Sequence, residues 1–291
     1  MKQDNADFTV SFWGVRGSIP VADPDYLKYG GNTPCVEVRC GQTLLIFDAG
    51  TGIKNLGLAL ADETADHNPD INLLISHTHW DHIQGFPFFS PVFRKGQRIN
   101  IYGGHFLSDI RTLLSGQMDL EYFPVALDDL PADIRYYDLE ENPLLIGNTV
   151  IYHTHLLHPS LSVGFRVEYG RSVFVYATDN EIISDREMPD FNMENMSRLI
   201  SDADLVVAEA QYNSEEYLTK VGWGHSTVES ITEMCLRFRV KHLCIFHHDP
   251  YHPDAVIDRM VRNARRIAGK RMTVTGAREG LKISIQGRVR G

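Results

Sequence analysis

The sequence predicts an α/β fold in which two β-sheets pack on each other and helices cover their outer faces. Short apolar runs rich in β-branched residues come in blocks in both halves of the chain, with helical stretches interspersed. Four of these runs, LLIFDAG, INLLISHTH, SVFVYATD and HLCIFHH, stop abruptly at a histidine or aspartate. Side chains at strand ends project into the loops of one sheet rim, where a rigid scaffold holds functional groups.

In chain order, FTVSFWG, CVEVRC, TLLIFDAG, INLLIS and RINIYG read as strands, each closed by a turn-forming residue. A helix is expected from Leu107 to Leu114. NTVIYHTHL, SVGFRVEYG and RSVFVYATD return to the strand pattern. DLVVAEA then reads as a strand, Ser226 to Arg237 as a helix, and KHLCIFHH as a buried strand. Asp254 to Ala268 reads as a helix, with MTVTG and LKISIQG as closing strands. No internal repeat or long Pro/Gly/Ser linker interrupts the series, so residues 1–291 are expected to form one domain.

Hydrophobic residues make up 43% of the chain and charged residues 23%, the balance of an ordinary globular protein. No apolar run is long enough to span a bilayer, and the opening MKQDNADFTV lacks the basic-then-apolar pattern of a secretory signal. Cys35, Cys40, Cys235 and Cys244 show no CxxC spacing and fit buried, reduced thiols. A cytoplasmic location with no membrane contact is therefore expected. The net charge of −10 argues against an extended nucleic-acid surface, which needs clustered Lys and Arg. The modest cluster FRKGQR reads as a solvated turn. A small anionic substrate stays open, because bound cations would invert the local field.

The stretch SHTHWDH, Ser76 to His82, crowds three histidines and an aspartate into seven residues. His77 and His79 are two residues apart, so in extended chain their imidazoles point the same way. Asp81 and His82 follow as the chain turns into a short helix. One segment thus offers ligands to two neighbouring points, in the residue types that bind a divalent metal at about 2.0–2.2 Å.

This H-x-H-x-D-H after a buried strand resembles the signature of the metallo-β-lactamase superfamily, and the resemblance implies a four-layer αββα sandwich. It carries over residue by residue: HLLHPS offers His158, VFVYATD offers Asp179 and LCIFHH offers His247. The implied site holds two divalent ions, zinc first, with manganese or iron also suited to nitrogen and carboxylate ligands. His77, His79 and His158 would hold one ion, and Asp81, His82 and His247 the other. Asp179 would bridge them together with a water or hydroxide. His248 competes with His247, which is favoured because it directly follows the apolar run. Strand alternation accounts for His153 and His155 as non-ligands. His67, His105, His242 and His252 are expected at the surface or in local hydrogen bonds.

GHST, Gly224 to Thr227, resembles the phosphodiesterase branch of that superfamily, best known from ribonuclease Z, where this histidine stands beside the metals. His225 is the matching residue, and Ser226 or Thr227 is the expected helix N-cap. FWGVRGSIP and YGGNTPCVEV resemble bacterial members similar to cyclic-nucleotide phosphodiesterases, which makes Arg16, Ser18, Asn32 and Thr33 candidates to line the site. The long basic arm of ribonuclease Z is absent from the sequence, and His79 separates the chain from the flavodiiron branch, which usually carries Glu there. The resemblance implies hydrolysis of a small or cyclic nucleotide-type phosphodiester by a metal-bridged hydroxide. In that reaction Asp81 would orient the nucleophile or take its proton, the metals and His225 would neutralise the phosphate, and His225 or a metal-bound water would protonate the leaving group. Asp48 and Gly50 to Gly52 would support the ligands from behind. Phe86, Phe88, Phe89 and Tyr122 would either stack on a base or fill the core. Homodimers are common in this branch. The alternatives are hydrolysis of a lactone, thioester or β-lactam on the same site, and a non-catalytic metal sensor.

Overall fold

A computed structural model describes residues 8–63, 69–104, 108–140, 142–182 and 190–285. The first half contains β1 (Phe8–Gly14), β2 (Cys35–Cys40), β3 (Thr43–Phe47), β4 (Ile71–Ile75), β5 (Arg98–Gly103) and β6 (Asp133–Asp138). The second contains β7 (Leu144–Ile146), β8 (Thr149–Leu156), β9 (Ser162–Tyr169), β10 (Ser172–Ala177), β11 (Leu205–Glu209), β12 (His242–Phe246), β13 (Thr273–Gly276) and β14 (Lys282–Ser284). The helices are α1 (Ile53–Glu63), α2 (Trp80–Ile83), α3 (Ile110–Gln117), α4 (Asp190–Ile200), α5 (Ser214–Tyr217), α6 (Val228–Arg237) and α7 (Asp254–Ala268).

One sheet has the order β14-β1-β2-β3-β4-β5-β6 and the other β13-β12-β11-β10-β9-β8-β7. They share a plan: β3 to β6 and β10 to β13 run parallel, and the remaining strands antiparallel. Parallel strands buried on both faces need apolar side chains in both directions. That explains the unbroken runs of β4, INLLI, and β11, LVVAE, in which every residue is buried.

Three apolar layers separate the elements. Between the sheets, the Phe47 ring lies 5.5, 5.7 and 5.3 Å from Phe165, Phe174 and Tyr176. Outside the first sheet, Leu56 and Leu60 of α1 and Ile110 and Leu114 of α3 cover Ile46, Leu73 and Ile99. Outside the second, Ile257, Met260, Val261, Ala264 and Ala268 form the buried stripe of α7, at the spacing of one helical face. The architecture is the expected αββα sandwich.

Some elements differ from the sequence reading. The helix expected from Leu107 runs over Ile110–Gln117, because the Asp109 side chain accepts from the Thr112 N–H and fixes its start. Leu107 lies outside the described residues, as do His67 and His105. The helix after GHST begins at Val228, capped by Thr227, whose side chain accepts from Ser230 N–H. β6, β7, α1 and α4 were not foreseen. All four cysteines are buried and unbridged. Among the described residues no helix is long and apolar enough to cross a membrane.

Candidate metal centre

The chemistry-bearing side chains gather at the C-terminal ends of the parallel strands. Asp48 follows β3, Asp179 closely follows β10 and His247 follows β12, with φ of 62°, 46° and 55°. A left-handed residue with a Cβ costs roughly 1–2 kcal/mol. Three such residues at one rim turn their side chains off the strand direction into a common space, and strain of that kind clusters at functional sites. His77 leaves β4 in the same direction. The short α2 buries Asp81 and His82 and leaves Trp80 exposed.

Three overlapping groups result: His77, His79, His158 and Asp179; Asp81, His82 and His247; Asp179, His225 and His247. Within each, one ligand-type atom per residue lies within 4.8 Å of the others. Asp179 stands between the first two groups. Its Oδ1 is 3.7 Å from His77 Nε2 and 4.0 Å from His158 Nε2, while its Oδ2 is 3.2 Å from His82 Nε2 and 3.3 Å from His247 Nε2. Asp81 Oδ2 faces the same pair, 3.3 Å from His82 and 3.1 Å from His247.

A second ring of groups aims these imidazoles. His82 Nδ1 lies 2.7 Å from Asp48 Oδ2, His247 Nδ1 lies 3.2 Å from Gln211 Oε1, and His158 Nδ1 lies 3.0 Å from Gly224 O. Each contact assigns the proton to Nδ1 and leaves Nε2 as the lone-pair donor facing inward, the usual arrangement around a bound metal. Asp48 is itself fully buried and also accepts from Ser76 N–H, Ser76 Oγ and Tyr176 Oη. Gly17 passes so close to His247 that a Cβ there would lie 2.6 Å from Nδ1. Ser18, next to it, donates its backbone N–H to Asp81 Oδ2 at 2.7 Å.

The electrostatics call for positive charge at the centre. Burial disfavours the imidazolium of His82, yet the carboxylates of Asp81, Asp179 and Asp48 outweigh it and push its pKa well above the usual value. Burial also opposes ionisation of Asp179, and His247, His82 and His77 overcome it and hold the carboxyl well below the usual range. His77, by contrast, is held neutral by burial. Of the three buried imidazole nitrogens without a hydrogen-bond partner among the described residues, His77 Nε2 and His225 Nδ1 lie in these groups, and such orphans are costly unless something binds them. Inward-facing lone pairs, carboxylates demanding a counter-charge and an orphaned imidazole nitrogen together fit divalent cations.

His225 lies against both metal groups. Its ring stacks on His247 at 5.4 Å and sits 5.5 Å from His158, and its Nδ1 is 3.8 Å from Asp179 Oδ1. Burial lowers its pKa to about 3, so the ring is neutral. Glu209, at the end of β11, is 3.9 Å from His225 Nδ1, and burial with Asp179 nearby raises its pKa well above the usual range. Neither Glu209 nor Gln211 was singled out from the sequence. DLVVAEA carries the same signal as the other strands, an apolar run ending in an ionisable residue.

The four residues expected to line the site divide. Ser18 stands at it. Arg16 is fully buried and gives its guanidinium to the carbonyls of Gly30, Asp249 and His252, so it ties the loop after β12 in place rather than facing a substrate. Asn32 donates to Glu279, and Thr33 Oγ1 accepts from Thr51 N–H and Gln84. Both serve the loop scaffold. Phe86 and Phe89 are core, whereas Phe88 and Tyr122 are exposed. His248 turns away from the groups and bonds the Ala277 carbonyl. His252 is buried on Glu216 rather than at the surface, and His242 bonds Thr275 Oγ1. His153 and His155 lie along β8, outside the three groups.

Comparison with known proteins agrees with this geometry. The β-lactamase superfamily domain family matches residues 43–248. Ribonuclease Z of Picrophilus torridus is 23% identical in an alignment covering 85% of this chain and 87% of that protein. Among solved structures, the metallo-β-lactamase fold protein YhfI of Bacillus subtilis superposes with a TM-score of 0.68 at 19% identity, covering 96% of this chain and 99% of that one. A diphosphatase of the PhnP family superposes at 0.63 with 16% identity, covering 94% and 96%. The matched stretch runs from the first residue of β3 to His248 and so contains every residue of the three groups, and this chain belongs to the β-lactamase superfamily as one of its metallo-hydrolases.

Proposed function

We propose that this protein hydrolyses a phosphodiester of small or cyclic nucleotide type, with two bound divalent cations, zinc foremost. The reading rests on His225: a neutral imidazole buried against both ligand groups, which also falls in a third candidate group with Asp179 and His247 but which this proposal leaves free of the cations. A phosphoryl centre spreads developing charge over several oxygens, so it benefits from such an added hydrogen-bond donor. The likeness to a ribonuclease Z and to a PhnP-family diphosphatase supports the phosphodiester class. A net charge of −10 supports a small substrate over a long polyanion.

In this proposal His77, His79 and His158 would hold one cation, Asp81, His82 and His247 would hold the other, and Asp179 stands within reach of both groups. Cations bound there would supply Lewis acidity, lowering the pKa of water and neutralising phosphoryl oxygens. Asp81 takes its hydrogen bonds on Oδ2, which leaves Oδ1 to orient the attacking water or take its proton. His225 donates its ring N–H to the substrate oxygens, and the buried Asp48 keeps His82 in the tautomer that faces inward. The near-complete burial of His77, His82, Asp179 and His247 lowers the local dielectric and strengthens each of these interactions.

The test is turnover of bis(p-nitrophenyl) phosphate and of 2′,3′- and 3′,5′-cyclic nucleotides, with metal content measured before and after chelation and zinc return. Turnover that disappears with the metal and returns with it supports the proposal. A fully metal-loaded protein that cleaves a lactone, thioester or β-lactam but no phosphodiester refutes it.

A further inference from the structure

We propose that Glu181 is a positioning residue whose buried carboxylate fixes the loop from Tyr217 to Gly224 and, through Gly224, sets His158 and His225. The proposal rests on the metal-holding part of the function above and is independent of the substrate.

Glu181 lies two residues beyond Asp179 and is 4% exposed. Its Oε1 accepts from Tyr217 Oη at 2.5 Å and from Gly222 N–H at 2.7 Å, and its Oε2 accepts from Gly224 N–H at 2.9 Å. Backbone turn bonds satisfy the amides of Thr219, Lys220 and Trp223 in the loop between Tyr217 and Gly224, and the Glu181 carboxylate satisfies those of Gly222 and Gly224. The same segment reaches the other side of the site. Glu181 N–H donates to Leu157 O at 2.7 Å, and Leu157 N–H donates to Asn180 Oδ1 at 3.0 Å, immediately before His158. Ser226, immediately after His225, donates its hydroxyl to Asn180 O and accepts from Ile182 N–H. Residues 180–182 thus bind the neighbours of both histidines.

Gly224 is where this clamp meets the metal groups. It sits at φ +86°, and a Cβ there would lie 2.1 Å from His158 Nδ1, so a glycine is required for both conformation and space. Its carbonyl accepts the His158 Nδ1 proton at 3.0 Å and so directs His158 Nε2 inward. Glu181 therefore acts on His158 through one residue, Gly224. The same loop presents Trp223, 59% exposed, beside Lys220, whose ammonium lies 5.6 Å from the Trp223 ring. The clamp thereby also holds the loop that leads into His225.

Glu181→Gln keeps the volume but offers one oxygen in place of two, so either Gly222 or Gly224 N–H faces an amide NH2. The experiment titrates zinc into wild type and Glu181→Gln against a chromophoric chelator, and follows amide exchange over residues 217–224 in both. The expected result is a loss of about 10- to 100-fold in affinity confined to one of two zinc equivalents, with faster exchange at the two glycines. Tyr217→Phe removes one donor and leaves both glycine amides bound, so its zinc affinity stays within about twofold of wild type. Equal affinity at both equivalents and unchanged exchange in Glu181→Gln overturn the proposal. So does free-loop exchange of Gly222 and Gly224 in wild type, a reading that needs no folded variant. Neither readout uses a substrate, so failure of the phosphodiesterase reading leaves the test intact.

Discussion

Asp48→Asn isolates what a buried carboxylate does for this centre. Asparagine matches aspartate in shape and tolerates the left-handed backbone at φ 62°, so the substitution changes charge and hydrogen bonding alone. Its amide oxygen keeps the bond from Ser76 N–H, made by Asp48 Oδ1 at 2.7 Å. On the other side its NH2 meets His82 Nδ1, Ser76 Oγ and Tyr176 Oη, all within 2.8 Å of Asp48 Oδ2. The two hydroxyls rotate and accept. His82 Nδ1 accepts only by surrendering its proton to Nε2, which then points a hydrogen into the space reserved for a cation. Loss of one charge-assisted bond costs about 1.5–3 kcal/mol of stability in the apoprotein. The tautomer change costs about 10- to 100-fold in metal affinity, or about 1.4–2.8 kcal/mol. Zinc titration against a chelator, paired with denaturant unfolding of the apoprotein, reads both. Wild-type zinc affinity in a folded Asp48→Asn refutes the reasoning.

His247→Ala removes one zinc equivalent, while His248→Ala keeps both and loses stability, because His248 is a buried neutral imidazole bonded to Ala277 O; metal content after dialysis distinguishes them. Phe47→Ala opens a cavity between the sheets among Phe165, Phe174 and Tyr176 and destabilises the fold by about 3–5 kcal/mol, read by denaturant unfolding. The thiols of Cys40 and Cys244 are pushed up to about 12 by burial, so at pH 8 only about one in ten thousand is thiolate. Ellman's reagent is therefore expected to leave them unreacted in the native protein and to titrate all four cysteines only after denaturation.

The central strands were legible because burial on both faces writes itself as an unbroken apolar run, and an ionisable residue at the end of such a run is conspicuous. β6, DIRYYD, is an edge strand whose residues alternate between half-buried and exposed, so its composition hides it. α1 carries its apolar residues amid the small residues that follow DAGTG, with no capping signal at its start. At the site, the residues brought together are those whose strand ends dictate their direction. Arg16 and Thr33 lie in loops, where direction is decided by partners distant in sequence, and no local pattern tells a residue facing the site from one holding its scaffold. Gln211 and Glu181 are invisible for the same reason: each matters through its contact with a histidine or a glycine 36 or 43 residues away.

The most direct test of the phosphodiesterase account compares wild type with His225→Ala at equal metal content, using cyclic nucleotides and bis(p-nitrophenyl) phosphate. The account predicts that both proteins hold two zinc equivalents while kcat falls about 10²- to 10³-fold in the variant. Undiminished phosphodiester turnover by the metal-loaded His225→Ala protein contradicts it.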